Sequence, residues 1–299
     1  MTRLTVGITT RNRPAALRRC LESLHILAPL APRIVIFDDS SDQPANSVVA
    51  DTGCGGTVIR DERQVGYIAG RNRLMNDAAT PHVLLLDDDA VVLSLASVET
   101  AMAVLDRDEN VAAVGFAQAE EDGSPWPERM QPGRGVQPVY VGSFIGFAHL
   151  LRREAFVRLG GYRESFVFYG EEKDFCVRAL DAGMRVVYLP GALVGHIPDA
   201  GGRSATRYVR FAIRNDCLYS LYNEPWPIVA LSLPLRLWRY QRMKVSTGAA
   251  PGGLRWIVGE LRRTMPDVRC HRRAVSWSTF REWRRLGRTI VPYRAADAG

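Results

Sequence analysis

The chain has 299 residues, of which 46% are hydrophobic, and a formal net charge of +7. No apolar run approaches the roughly 20 residues of a membrane-spanning helix, and Cys20, Cys54, Cys176, Cys217 and Cys270 show no paired spacing that argues for a disulfide framework or a zinc site. The first ten residues read directly into a strand pattern rather than a signal peptide. A large single domain, or one domain with an appendage, in a reducing cytoplasm is therefore expected. The charge is uneven. Residues 236–299 hold 15 Lys and Arg against 4 Asp and Glu, a net of +11, so the first 235 residues carry about −4. The basic excess predicts an acidic partner for the C-terminal part.

Leu4-Thr5-Val6-Gly7-Ile8-Thr9 alternates and is β-branched, a first strand. It runs into Thr10-Arg11-Asn12-Arg13-Pro14, with Asn12 the expected N-cap and Pro14 in the first helical turn. Leu17, Cys20, Leu21 and Leu24 then form one buried helical stripe. Arg33-Ile34-Val35-Ile36-Phe37 is a second strand, ending in Asp38-Asp39-Ser40-Ser41-Asp42, and Thr57-Val58-Ile59-Arg60 is a third. A helix over 68–78 leads to Val83-Leu84-Leu85-Leu86, an apolar run that reads as a buried strand and stops in Asp87-Asp88-Asp89. Three adjacent carboxylates at a buried strand's exit repel one another and need a counter-charge, for which a divalent cation is the natural choice. The β-α-β alternation predicts a parallel sheet with helices on both faces. Ligands of such sheets bind beyond the carboxyl ends of the strands, where Thr9, Arg11, Asp38, Asp39 and Asp87 to Asp89 fall.

The second half changes character. Val111-Ala112-Ala113-Val114-Gly115-Phe116 is another apolar strand, and residues 120–135, rich in Gly, Pro and charge, read as a loop. Residues 139–151 are apolar and punctuated by Gly, a strand pair or bend beside a ligand. A short helix over 154–159 closes at Gly160-Gly161. A further helix begins at Glu171-Glu172-Lys173-Asp174 and buries Phe175, Cys176, Ala179 and Leu180. Its three N-terminal acids complement the helix dipole, which also favours the ionised form that a general base must hold. Arg185-Val186-Val187-Tyr188-Leu189-Pro190 is a last strand, followed by His196 on a loop, a candidate imidazole ligand beside an acidic cluster. Beyond residue 202 the chain reads as helical and basic. Tyr208, Phe211, Ala212, Asn215 and Leu218 have helical spacing near Arg203, Arg207, Arg210 and Arg214, a Trp- and Leu-rich segment follows over 228–240, and Trp277 and Trp283 recur among arginines. These helices fit a membrane surface, or packing on the catalytic domain or a second subunit.

Taken together, these stretches resemble glycosyltransferase family 2, inverting enzymes of the GT-A fold, over roughly residues 4–225, a bacterial rhamnosyltransferase-like branch being one option. The segments are Ile8 to Pro14, Asp38 to Asp42 (a DDSSD element), Val65 to Asn72, the Asp87-Asp88-Asp89 D-x-D motif, Leu159-Gly160-Gly161-Tyr162 followed by Glu171-Glu172-Lys173-Asp174 and Arg178, and His196. Arg11, Gln64, Arg163 and Glu172 depart from the commoner residues at their positions. The resemblance implies a mostly parallel α/β sheet in two parts: a catalytic domain over 1–202, with a nucleotide-binding half to about residue 92 and an acceptor half from 93, and a helical extension over 203–299. It further implies transfer of a sugar from a nucleoside diphosphate sugar, UDP- or dTDP-linked, to a hydroxyl of a glycan, a lipid-linked saccharide or a small natural product, with Mg2+ or Mn2+ as cofactor. Thr9, Arg11, Asp38, Asp39, Gly66, Arg71, Asp87 and Asp88 would hold the donor, Asp89 and His196 the metal, and Glu172 would be the base with Glu171 or Asp174 as substitutes. A nucleotidyltransferase is the rival reading, weakened because Thr9-Thr10-Arg11-Asn12-Arg13 contains no phosphate-cradling Gly. A non-catalytic nucleotide-sugar binder is another, and nucleic-acid binding has no recognisable module.

Overall fold

A computed structural model describes residues 2–198, 204–248 and 252–295. Arg203 and the expected boundary at 202/203 lie outside the described residues. Ten strands form one sheet. The N-terminal part holds β1 (Leu4–Thr10), α1 (Pro14–Ser23), β2 (Arg33–Asp38), α2 (Asn46–Thr52), β3 (Thr57–Arg60), α3 (Tyr67–Asp77), β4 (His82–Asp87) and β5 (Ala90–Val92). The middle holds α4 (Leu95–Arg107), β6 (Val111–Ala119), β7 (Val139–Tyr140), β8 (Ala148–Arg152), α5 (Arg153–Arg158), α6 (Glu171–Asp181) and β9 (Arg185–His196). α7 (Ala205–Asn223), α8 (Trp226–Thr247), α9 (Gly253–His271), α10 (Trp277–Leu286) and β10 (Val291–Pro292) follow.

The expected parallel block is β3-β2-β1-β4. The central strands β1 and β4 are buried along almost their whole length, as a parallel sheet covered by helices requires, whereas β3 is a part-exposed edge. Leu84 and Leu86 pack with Leu4, Val6, Ile8 and the α1 stripe of Leu17, Cys20 and Leu21. Val83 and Leu85 pack on the opposite face with Phe37, Leu74 and Met75. Register sets the functional edge, since Thr9 pairs with both Phe37 and Asp87, so β1, β2 and β4 end level. Beyond β4 the sheet turns mixed: β8 runs antiparallel to β4 and β6, whereas β6 and β9 are parallel.

Several expectations need correction. Asn12 does not cap α1; it adopts φ +55° and exchanges hydrogen bonds with Asp42, tying the ends of β1 and β2 together. His196 is not on a loop but is the last residue of β9, paired with Ala90. The strand continues past Pro190-Gly191 because β6 skips that segment, passing from Leu189 to Leu193. Pro234, which breaks the apolar pattern in the sequence, lies inside α8; it is exposed, so the carbonyl it leaves unpaired can face water. The C-terminal part is not wholly helical either, since β10 returns to the sheet beside β7.

One buried carboxylate locks that C-terminal part to the core. Asp174, fully buried, pairs with Arg163 and with Arg178 (2.8 Å) and accepts a hydrogen bond from Asn223 of α7 (2.8 Å). Burial alone would raise its pKa, but Arg178 and Arg163 outweigh burial and hold it below the usual carboxylate range. The resulting stabilisation is present above the unfolded-state pKa and is lost as pH falls through the depressed folded value. Asp174→Asn leaves two largely buried guanidinium groups undercompensated and should cost about 3–5 kcal/mol in urea unfolding at neutral pH, with the deficit narrowing in acid; an unchanged midpoint would contradict the anchoring role.

Candidate active site

The acids at the level edge have distinct environments. Asp38 at the end of β2 is buried and accepts hydrogen bonds from the Ser41 and Ala45 amides (2.8 and 3.0 Å) and from Arg60 (2.6 Å). Burial opposes its ionisation, but these donors prevail and hold its pKa below the usual range. Asp38, expected at the donor, thus shapes its own loop. Asp39 accepts from the Val65 amide (2.6 Å) and from Gly66 (3.1 Å), pinning the start of α3 to the end of β2. A carboxylate offers about four lone-pair sites, so Asp39 retains acceptor capacity. Gly66 sits at φ +92°, a conformation that disfavours any side chain.

The Asp triplet is divided among three tasks. Asp87 is partly exposed and accepts from Arg71 (2.6 Å). Asp88 is buried, bound by the Thr10 hydroxyl (2.8 Å) and by Arg13 (2.6 Å). Burial pushes its pKa up to about 7 against the pull of Arg13 and Thr10. Both Asp88 oxygens are thus engaged from the protein side. Thr9 is buried within β1, and the hydroxyl that reaches the acidic turn is that of Thr10. Asp89 is bonded through Oδ2 to Arg13 (3.2 Å), whereas its Oδ1 is buried with no hydrogen-bond partner. Arg11 is exposed beside this edge.

His196 reaches Asp89 because β5 and β9 pair directly after the acidic turn. Its Nε2 lies 3.7 Å from Asp89 Oδ1. Its Nδ1 is 2.6 Å from Gln118 Oε1, and the Gln118 amide nitrogen donates to the Met130 carbonyl, fixing the oxygen toward the ring. This network assigns the proton to Nδ1 and leaves Nε2 as the ring nitrogen on the Asp89 side. The ring is stacked between Trp126 (5.2 Å) and Phe147 (4.6 Å), so the 120–135 loop packs over the site. Among the described residues no three His, Cys, Asp or Glu side chains gather as a metal cage. An orphaned buried carboxylate oxygen beside an imidazole nitrogen nevertheless fits a cation that takes its other ligands from a bound diphosphate and water.

Arg71 is buried and spans the acidic turn after β4 and the acidic turn at the start of α6. One Nη donates to Asp87 (2.6 Å) and to the Gly146 carbonyl (2.7 Å), the other to Glu171 (2.8 Å), and the guanidinium lies 4.6 Å from the Tyr67 ring centroid. Burial opposes its charge, but Asp87 and Glu171 raise its pKa further still. The guanidinium expected to meet the donor is thus already committed to two carboxylates and a carbonyl. Glu171 is fully buried on Arg71 and the Tyr67 hydroxyl (3.3 Å), and Asp174 is buried in the pairs described above. Both substitutes for Glu172 expected from sequence are thus held in ion pairs. Glu172 is the half-buried acid of that turn. Burial raises its pKa, Arg71 opposes the rise, and Asp87 adds to it. A Cβ on Gly146 would lie 2.2 Å from Glu172 Oε1 and 2.8 Å from Arg71 Nη1, so the bare Gly146 backbone brings both groups in close.

Three positioning residues carried no signal in the sequence. His149 is fully buried, with Nδ1 donating to the Gly146 carbonyl (3.1 Å) and Nε2 accepting from the Tyr162 hydroxyl (2.8 Å). Burial and Arg71 drive its pKa well below the usual value, so it is a neutral prop. Asn215 of α7 donates to the carbonyls of Phe166, Phe168 and Tyr169 (2.9, 2.6 and 2.6 Å). This holds the turn before Glu171, where Val167 and Tyr169 have φ +63° and +69°, a strained conformation for non-glycine residues. Arg13, noted only within a motif, is the cation lying on Asp88 and Asp89.

The family model for Glycosyl transferase family 2 matches residues 5–163, more than half of the chain. Two curated relatives, pre-mycofactocin glycosyltransferases of Mycobacterium tuberculosis strains, are 29% identical over 209 residues, 64% of this chain, and the chain spans only 42% of their length. Solved structures with a similar fold include GalNAc-T7 with UDP, GalNAc and Mn2+ (TM-score 0.63, 16% identity, 89% of this chain and 58% of that one). The mannosyltransferase PcManGT of Pyrobaculum calidifontis, with GDP-Man and Mn2+, scores 0.61 at 14% identity, covering 95% and 84%. S. aureus TarS with UDP-GlcNAc scores 0.57 at 15% identity, covering 82% and 73%. With these likenesses added to the site geometry, the chain belongs to glycosyl transferase family 2 and has the GT-A fold.

Proposed function

We propose that the protein transfers a glycosyl group from a nucleoside diphosphate sugar to an acceptor hydroxyl with inversion, Glu172 taking the hydroxyl proton. The observation that carries this reading is the bridge made by Arg71, which ties the acidic turn after β4 to the Glu171-Glu172 turn across one cleft. Glu171 is already held by Arg71 and Tyr67. That leaves Glu172 as the carboxylate of this turn best suited to meet an alcohol, which favours one displacement over a two-step mechanism through a carboxylate nucleophile. Its raised pKa makes it a stronger base than an ordinary Glu.

Asp89 and His196 would hold Mg2+ or Mn2+, which when bound offsets the charge of the departing diphosphate. Asp39, with Gly66 behind it, and the half-exposed Asp87 would meet the base and ribose, and Arg11 the phosphates. Complexes of the similar structures with UDP, UDP-GlcNAc and GDP-Man support a nucleotide-sugar donor. UDP- or dTDP-linked sugars remain our choice, because a carboxylate accepts the imide N–H of uracil or thymine. On the acceptor side, a cavity of about 240 Å³ opens between Gly170, Lys173, Tyr208, Tyr219 and Arg239. Aromatic walls, with Lys173 and Arg239 both paired to Asp216, suit a saccharide or phenolic acceptor, and the curated relatives are named for pre-mycofactocin.

Glu172→Gln should lower kcat by about 10²- to 10⁴-fold while leaving UDP affinity, measured by calorimetry with Mn2+, unchanged; loss of donor affinity with normal turnover at saturation would remove Glu172 from the role. A base must be ionised and this one titrates high. The parent kcat should therefore rise with pH through a value above the usual Glu pKa of about 4.3, and the gain should vanish in the variant. Gly146→Ala forces Glu172 and Arg71 apart and should cost about 10²-fold in kcat with little change in melting temperature. Parental turnover would show that this contact does not set the base.

A further inference from the structure

α8 turns its apolar side outward. Pro227, Ala230, Leu231, Pro234, Leu235 and Trp238 are all exposed and follow i, i+3, i+4, i+7, i+8, i+11, a single stripe along one face. Leu231, Leu235 and Trp238 keep 70%, 64% and 60% of their surface, and Val245, one turn past Arg242 on the same side, keeps 83%. A surface helix ordinarily does the reverse. The helix carries Arg236, Arg239, Arg242 and Lys244 and no acid. Arg236 is consumed by Glu224 (2.9 Å); Arg239 touches Asp216 (3.3 Å) yet stays 60% exposed, and the Arg242 guanidinium lies over the Trp238 ring (5.8 Å) beside the stripe.

We propose that α8 is an interfacial anchor that lies in the surface of an anionic lipid bilayer. Charge decides between this occupant and a second copy of the chain. Pairing the stripe with itself would press Arg239 and Arg242 of two copies together, in a C-terminal part already carrying +11, and like charges brought together in an interface oppose it. A bilayer with anionic head groups accepts both features at once, the Leu and Trp side chains in the acyl boundary and the cations among phosphates. Among the described residues no helix is long and apolar enough to cross a membrane, so this contact would be made lying on the surface. The groove along the stripe, of about 900 Å³, shares Arg239 and Met243 with the cavity beside Gly170 and Lys173. The docked protein thus turns its acceptor side toward the lipid, an orientation that rests on the role given to Glu172, whereas the docking itself does not.

The test is flotation of the full chain with vesicles of phosphatidylcholine containing about one-third phosphatidylglycerol, against phosphatidylcholine alone. We expect capture by the anionic vesicles, weakened by salt, and on the order of tenfold less for Leu231→Asp/Leu235→Asp than for the parent. Should that variant lose its thermal transition, Trp238→Phe reads the same contact: anionic vesicles should blue-shift the parent's tryptophan emission, and the substitution should remove most of the shift. No capture of the parent, or equal capture of parent and variant, overturns the proposal. A parental dimer in sedimentation velocity that the Asp variant dissociates does so too, in favour of a second copy. Because the readout is vesicle binding rather than transfer, a failure here is distinguishable from a failure of the catalytic reading.

Discussion

A single buried guanidinium, that of Arg71, is the constraint on which the site depends. Nearly the whole side chain is out of water, and a charge in that setting survives only with partners on every side. Its partners come from three separate parts of the chain: Asp87 at the end of β4, the Gly146 carbonyl on the approach to β8, and Glu171 at the start of α6. Arg rather than Lys suits the position, because a planar fork can address two carboxylates and a carbonyl at once. The acidic turn after β4 and the acidic turn at the start of α6 are therefore held at a fixed separation before any substrate arrives, which is what the proposed in-line transfer requires.

A second arginine balances the same edge from the other side. Arg13 lies on Asp88 and Asp89, and the pKa of Asp88 near 7 shows how costly charge is in that turn. A divalent cation at Asp89 and His196 would add positive charge beside Arg13. Binding of a diphosphate offsets that excess, so donor and metal are expected to favour each other's binding. The aromatic sandwich of His196 by Trp126 and Phe147 links this to the 120–135 loop, which Gln131 fastens to both the amide and the carbonyl of Gln118 (2.8 Å each).

What was legible in the sequence is what repeats locally. Apolar runs ending in acids marked β2 and β4, the stripe of α1 was visible, and the first turn of α6 stood out by its three carboxylates. Residue type alone could not separate acids by environment. Asp38, Asp88, Glu171 and Asp174 look as available as Asp39, Asp89 and Glu172 until their partners, up to 100 residues away for Glu171 and Arg71, are known. Arg163 illustrates the same limit: an unexpected residue in the motif, it is the cation that buries Asp174 against Asn223. His149 and Asn215 act through backbone carbonyls, which leave no trace in side-chain chemistry. α4 and α9 went unassigned, and α2 was unplaced, because their apolar patterns lack the strong punctuation that marks α6. His196 was misplaced because Pro190 and Gly191 look like a strand's end, whereas β9 simply bulges there and resumes its pairing with β6 at Leu193.

The C-terminal helices serve the site as much as they extend it, since Asn215 and Asn223 reach back to the turn before Glu171 and to Asp174. The claim that Arg71 couples the two acidic groups is tested most directly by the pH dependence of kcat in Arg71→Met. Glu171 can take up a proton in that variant, so the chain is expected to fold. Removing the cation that lowers the pKa of Glu172 should depress kcat at neutral pH and move the acid limb to higher pH, with partial recovery of rate in alkali. A profile superimposable on that of the parent, limb and plateau alike, would contradict the account.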